Sequence, residues 1–201
     1  MDPKGHHCIS CKIGGAVHAA HGEGCQILAD ATREAGYTSR REQAIPELAT
    51  AVCPSPVMDI DAFGLAGAER LLIEFTLRSS AAARYQSKAL SAAASAESDK
   101  QVRYPAANGV HVRGAGMEIL GRHGPELTAI LSELADRARA NAVQQGRAPT
   151  KLLRRWRCQL SGMTARLVGR ATTQAQASAA RKWEGDRAVS QPAGHQALAA
   201  L

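Results

Sequence analysis

The run Cys8-Ile9-Ser10-Cys11 is followed by His18, His21 and Cys25. Two cysteines two residues apart can hold one metal from a single turn of chain. A histidine and a cysteine further on then complete a tetrahedral site. Cys8, Cys11, His21 and Cys25 form such a set, with Gly14-Gly15 letting the chain double back, and they predict one structural zinc. His18, His6 and His7 compete for the third position. A loop with free thiols and unliganded histidines is the plainer alternative.

A second group is acidic. In Val57–Phe63 the alternation places Val57, Asp59, Asp61 and Phe63 on one strand face and Met58, Ile60 and Ala62 on the other. In Leu71–Leu77, Glu74 stands between Ile73 and Phe75. An ionised carboxylate is costly beside a core unless a cation accompanies it. Carboxylates from neighbouring strands, Asp59 and Glu74, can bind Mg²⁺ and leave positions for water and a phosphate. An edge strand with one wet face would tolerate Glu74 equally well. Lys100 continues the stripe Ala89, Ala92, Ala93, Ala96 on a following helix, so it is expected to face the sheet and reach the carboxylates. There its charge would stabilise a developing phosphorane. A lysine in the last turn of a helix is also favoured by the macrodipole alone.

The third group is basic. The chain of 201 residues carries a net charge of +7, and its excess is local. Between Arg147 and Arg187 ten Lys/Arg face two acids, a net of +8 that leaves about −1 elsewhere. Lys151, Arg154, Arg155 and Arg157 lead this segment. A localised basic run points to a polyanion partner, with a solvated helix face as the alternative. Trp156 can stack on a base, but beside Leu153 and Leu160 it also reads as core.

The elements that must position these groups follow from periodicity and punctuation. Residues 1–22 lack periodicity and read as a metal-organised loop. A helix over Glu23–Ala35 stops at Gly36. Tyr37–Ile45, Val57–Phe63 and Leu71–Leu77 read as strands. Ser79 or Ser80 caps a long alanine-rich helix to about Arg103, Gly109–Ala115 is a fourth strand, and Pro125 opens an amphipathic helix with Leu127, Ile130, Leu131 and Leu134 at helical spacing. A last helix starts near Pro149, and 171–201 read as a loose helix with a disordered end. The fold class predicted is α/β: a small mixed sheet flanked by helices, with an N-terminal zinc-knuckle-like loop and a helical C-terminal tail. The divisions expected are 1–25, 26–145 and 146–201. Five cysteines, an odd number, argue against a disulfide framework. No apolar run of membrane-spanning length exists, and the N-terminus has no signal-peptide core. An intracellular location follows, with no membrane partner.

Taken together, these residues resemble a known family. Cys8-x-x-Cys11, Gly14-Gly15, a later His, Ala35-Gly36 and Glu42 resemble the region after the polymerase in certain retroelement reading frames. Met58-Asp59-Ile60 looks like that family's Arg-Pro-Asp-Ile strand, and Ile73-Glu74-Phe75-Thr76 looks like its Asp-Val-Thr-Val strand. Ala96-Glu97-x-x-Lys100-x-x-Arg103-Tyr104 is similar to its lysine-bearing helix, and Met117-Glu118-Ile119-Leu120-Gly121 to a Glu-x-x-Gly element after that helix. The family is the restriction-enzyme-like endonuclease of non-LTR retrotransposons, within the PD-(D/E)xK nucleases, and the resemblance covers about residues 6–135. It implies a restriction-endonuclease-like fold and Mg²⁺-dependent nicking of DNA to prime reverse transcription. Asp59 and Glu74 would be metal ligands, Lys100 the displaced catalytic lysine, Glu42 an accessory acid and Arg103 a nucleic-acid contact. DNA is the partner implied, RNA a second candidate, and the nucleus the location. Met58 replaces the family's proline, and Glu74 its aspartate. A chain of 201 residues has no room for a polymerase, so a truncated element is expected. A non-catalytic zinc-containing nucleic-acid-binding module is the alternative.

Overall fold

A computed structural model describes residues 15–51, 53–64, 69–106, 110–148 and 151–190. Among the described residues four α-helices and four strands follow one another: α1 (Ala16–Glu34), β1 (Thr38–Ala44), β2 (Val57–Phe63), β3 (Arg70–Arg78), α2 (Ser91–Arg103), β4 (Val112–Glu118), α3 (Pro125–Gln144) and α4 (Leu152–Ser190). The sheet order is β1-β2-β3-β4. The first three strands are antiparallel neighbours, and β4 runs parallel to β3. A parallel neighbour needs a crossover, and α2 supplies it. The chain is therefore α/β, with a four-stranded mixed sheet flanked by helices.

The sheet separates two apolar layers. On one face Ile60, Ile73, Phe75 and Ala115 meet α1, α3 and the start of α4. On the other face Met58, Leu72 and Val112 pack with Ile45, Leu48 and Tyr104. Helix α2 covers this second face with Ala92, Ala93 and Ala96, all fully buried. Its close approach depends on Gly114 and Gly116 of β4. A Cβ on Gly114 would lie 3.0 Å from the Glu97 carbonyl oxygen, and one on Gly116 would collide with the Ala93 carbonyl. Glu97 uses this proximity. Its carboxylate accepts hydrogen bonds from the backbone N–H groups of Gly116 (3.2 Å), Glu126 (3.2 Å) and Leu127 (3.1 Å). The last two are orphan donors of the first turn of α3, so α2 caps α3 from outside.

Three expectations are corrected here. Helix α1 begins at Ala16, after Gly15 in a left-handed conformation (φ 73°), so His18 and His21 lie on a helix and not in a metal-organised loop. Helix α2 begins at Ser91, not Ser79, because a 3₁₀ turn at Ala83–Tyr85 intervenes. The alternation of β2 breaks at Asp59: Met58 and Ile60, two residues apart, join opposite apolar layers. The expectation of a shared face for them, and for Asp59 and Asp61, fails at that break. Residues 171–190 continue α4 as a helix. Cys8 and Cys11 lie outside the described residues, as do 191–201.

Candidate metal and carboxylate site

The site begins with the two central strands parting. The β2–β3 register runs from Phe63↔Arg70 to Ile60↔Ile73 and stops there. In place of the next ladder bond, the backbone N–H of Phe75 donates to Asp59 Oδ2 at 2.7 Å. The Asp59 carboxylate is thus held in the gap between the strands, next to residue 74. Glu42 faces Asp59 across β1, between the pairs Arg41↔Ile60 and Gln43↔Met58, in a left-handed backbone conformation (φ 53°). Its carboxylate points away: it is 75% exposed and lies beside Arg41. Among the described residues no contact joins Glu42 to Asp59, Glu74 or Lys100, so its expected accessory role has no geometric basis. Asp61 is engaged elsewhere, in a bidentate pair with Arg70 at 2.9 Å to each oxygen.

Glu74 is only 8% exposed. Lys100 Nζ donates to its Oε1 at 2.7 Å, which places the lysine where the alanine stripe predicts. In the β3–β4 register Glu74 faces Gly114, and the missing side chain there leaves room for the lysine stem. The other oxygen, Oε2, is buried with no partner among the described residues. Burial pushes the Glu74 carboxyl above the usual carboxylate range, and the Asp59 charge adds to this. Lys100 and then Arg103 oppose the shift without overcoming it. Desolvation thus outweighs the single cation. Arg103, one turn beyond Lys100, is exposed, with its guanidinium 5.2 Å from the Tyr104 ring centre and 3.7 Å from Cys53 Sγ.

Asp59 has a second set of neighbours, from α1. Gly24 lets that helix sit against the Phe75 ring, where any Cβ would collide. His21 and Cys25, four residues apart and so on one helical face, are thereby brought over the strand gap. His21 Nε2 lies 3.4 Å from Asp59 Oδ2 and 3.1 Å from the Phe75 carbonyl oxygen. Cys25 Sγ is 3.7 Å from His21 Nδ1 and 3.9 Å from Nε2. The hydrogen bond to Asp59, then that to Cys25, pushes the imidazole pKa up to about 10. Burial pushes the Cys25 thiol up. His21, Cys25 and Asp59 each offer one ligand atom within 4.8 Å of the others, and the group can hold a metal ion. Sequence reasoning names all three residues but assigns His21 and Cys25 to one site and Asp59 to another. The signal it misses is the His-x-x-x-Cys spacing as a helical pair.

The basic segment is divided. Trp156 is buried in the core, and its Nε1–H donates to Glu34 Oε2 at 3.1 Å. Arg155 pairs with the same Glu34, and Arg166 with Glu23, so both dock α4 on α1. Lys151 and Arg154 are exposed and Arg157 is partly so. Among the described residues no helix is long and apolar enough to cross a membrane. Comparison with known proteins returns no matching family model, curated protein or solved structure.

Proposed function

We propose that the chain is a metal-dependent DNA endonuclease domain of the restriction-endonuclease-like kind, derived from a retroelement. The carrying observation is Glu74: a carboxylate buried in an apolar strand, bonded through one oxygen to Lys100, with the other oxygen orphaned. A buried oxygen without a partner calls for a water or an ion to complete it, and a divalent cation would do so. The Asp59 carboxylate, held in the strand gap by the Phe75 N–H and beside His21 of α1, would supply the second acid. The element order helix–strand–strand–strand–helix–strand, with the acids on β2 and β3 and the lysine on the crossover helix, supports the same reading.

Asp59 and Glu74 would hold Mg²⁺, which supplies Lewis-acid polarisation of a phosphate and a bound water. Lys100 holds Glu74 through Oε1 and would keep positive charge beside a scissile phosphate bound there. Arg103, exposed one turn further on, would meet the nucleic-acid backbone. The resemblance extends the proposal to strand nicking that primes reverse transcription, in the nucleus.

The test is a supercoiled plasmid with Mg²⁺. The wild-type protein should convert it to open circles, and Asp59→Ala and Glu74→Gln should each abolish conversion. No nicking by the folded wild-type protein, or nicking retained in both variants, overturns the proposal. The exposed Lys151 and Arg154, with the partly exposed Arg157, favour a second reading, a nucleic-acid-binding module without chemistry. It predicts retained DNA binding with no nicking.

A further inference from the structure

We propose that His21 Nε2, Cys25 Sγ and Asp59 Oδ2 form a three-ligand site for a thiolate-seeking divalent metal of the zinc type, complete without Cys8 and Cys11. The geometry carries the proposal. A tetrahedral zinc has Zn–N of about 2.0–2.1 Å, Zn–O of about 2.0–2.2 Å and Zn–S of about 2.3 Å. Tetrahedral angles then put the nitrogen and oxygen about 3.4 Å apart, and the sulfur and nitrogen about 3.6 Å apart. The corresponding separations here are 3.4 Å and 3.9 Å. The third separation, from Cys25 Sγ to an Asp59 carboxylate oxygen, is within 4.8 Å, and side-chain rotation would bring it to the tetrahedral value of about 3.6 Å. The three ligands come from two rigid elements whose mutual placement is set by Gly24 against Phe75. Such a site is preorganised in the way that gives affinity without a folding step.

The donor set selects the ion. One thiolate, one imidazole and one carboxylate suit zinc and its relatives, whereas Mg²⁺ takes oxygen ligands in near-octahedral geometry. Three protein ligands leave the fourth tetrahedral position for water, as in open zinc sites and unlike closed structural ones. The inference uses Asp59, which the nuclease reading assigns to Mg²⁺, yet does not rest on that reading. A zinc-type ion at His21 and Cys25 would engage the same Asp59 carboxylate that the nuclease reading gives to Mg²⁺.

The test uses cobalt(II), which reports a thiolate ligand by a near-ultraviolet charge-transfer band and tetrahedral geometry by its visible bands. The full chain, stripped by chelator and titrated, should give both features, with an intensity corresponding to one thiolate. The Cys8→Ser/Cys11→Ser double variant should keep them. Cys25→Ser should lose the charge-transfer band, and Asp59→Asn should weaken cobalt binding at least about tenfold. His21→Gln, checked for native circular dichroism, should also weaken it and guards against misfolding of a variant at the buried Cys25. Loss of the bands in the Cys8→Ser/Cys11→Ser variant would overturn the proposal in favour of the four-ligand set. So would a band that survives Cys25→Ser, or wild-type protein without one. Failure of the nuclease reading is read separately, in the plasmid assay with Glu74→Gln, which leaves the cobalt bands untouched.

Discussion

Glu74 and Lys100 show how one buried pair raises the stakes of a single substitution. Removing the lysine leaves a carboxylate in a strand whose neighbours are Ile73 and Phe75, both essentially inaccessible to solvent. Breaking such a pair from one side costs about 3–5 kcal/mol, whereas replacing both members is often nearly neutral. Lys100→Ala should therefore lower the urea midpoint sharply, and Lys100→Ala/Glu74→Gln should recover most of the loss. Equal loss in the single and double variants would show that packing of the lysine stem dominates. His123 gives a prediction in pH. Burial, and then the Arg157 charge, hold its imidazole below the ordinary value, and its Nε2 is buried without a partner among the described residues. The folded chain thus favours the neutral ring. This stability is present above the unfolded value of about 6.5 and is lost as pH falls below it, by up to about 1.4 kcal/mol per pH unit. Denaturation midpoints at pH 7.5 and 5.5 should differ less in His123→Gln than in the wild-type protein.

At the scale of elements, the critical contact is α2 lying on β4. Glycine at 116 lets the helix backbone come so close, glycine at 114 eases the same approach, and the closeness brings Lys100 to Glu74 and Glu97 to the start of α3. A methyl group at Gly116 meets backbone, which cannot rotate away. Gly116→Ala should therefore cost about 1–3 kcal/mol, the range of an overpacked core, measured by denaturant unfolding. An unchanged midpoint would mean that α2 slides freely on the sheet. Glu97 ties three backbone donors on two elements. Truncation should cost more than an ordinary N-cap, roughly 2 kcal/mol, because three backbone N–H groups lose the same acceptor. Amide exchange should then quicken in the first turn of α3 before it does in β3.

For the whole molecule, the basic C-terminal segment is part of the core layer as well as a charged surface. Trp156, Leu160, Met163 and Leu167 are buried with α1, so deleting the segment would expose the core. Charge replacement is the cleaner test of its role. Changing Lys151, Arg154 and Arg157 to Gln should lower the salt dependence of DNA binding, log K against log [salt], by up to about 0.9 for each phosphate no longer neutralised. An unchanged slope would remove this face from the interface. Much of the architecture was legible in the sequence. Val57–Phe63 stands with its bounds unchanged, β1, β3 and β4 lie within three residues of expectation, and Pro125 opens α3. These elements announce themselves through local periodicity and through proline, which act over a few residues. The stripe through Ala96 likewise aims Lys100 at the sheet by helical spacing alone. Three things were decided only by the fold. The β2 alternation breaks at Asp59 because its side chain takes the Phe75 N–H from the ladder, a contact between residues sixteen apart. Desolvation of Glu74 outweighs Lys100 because burial depends on what α2 and β4 cover, which no spacing records. His21 and Cys25 meet Asp59 because Gly24 admits the Phe75 ring, a steric fit between elements far apart in sequence. Residue types and local order follow from short-range propensity, while partners follow from packing, which is a property of the assembled chain.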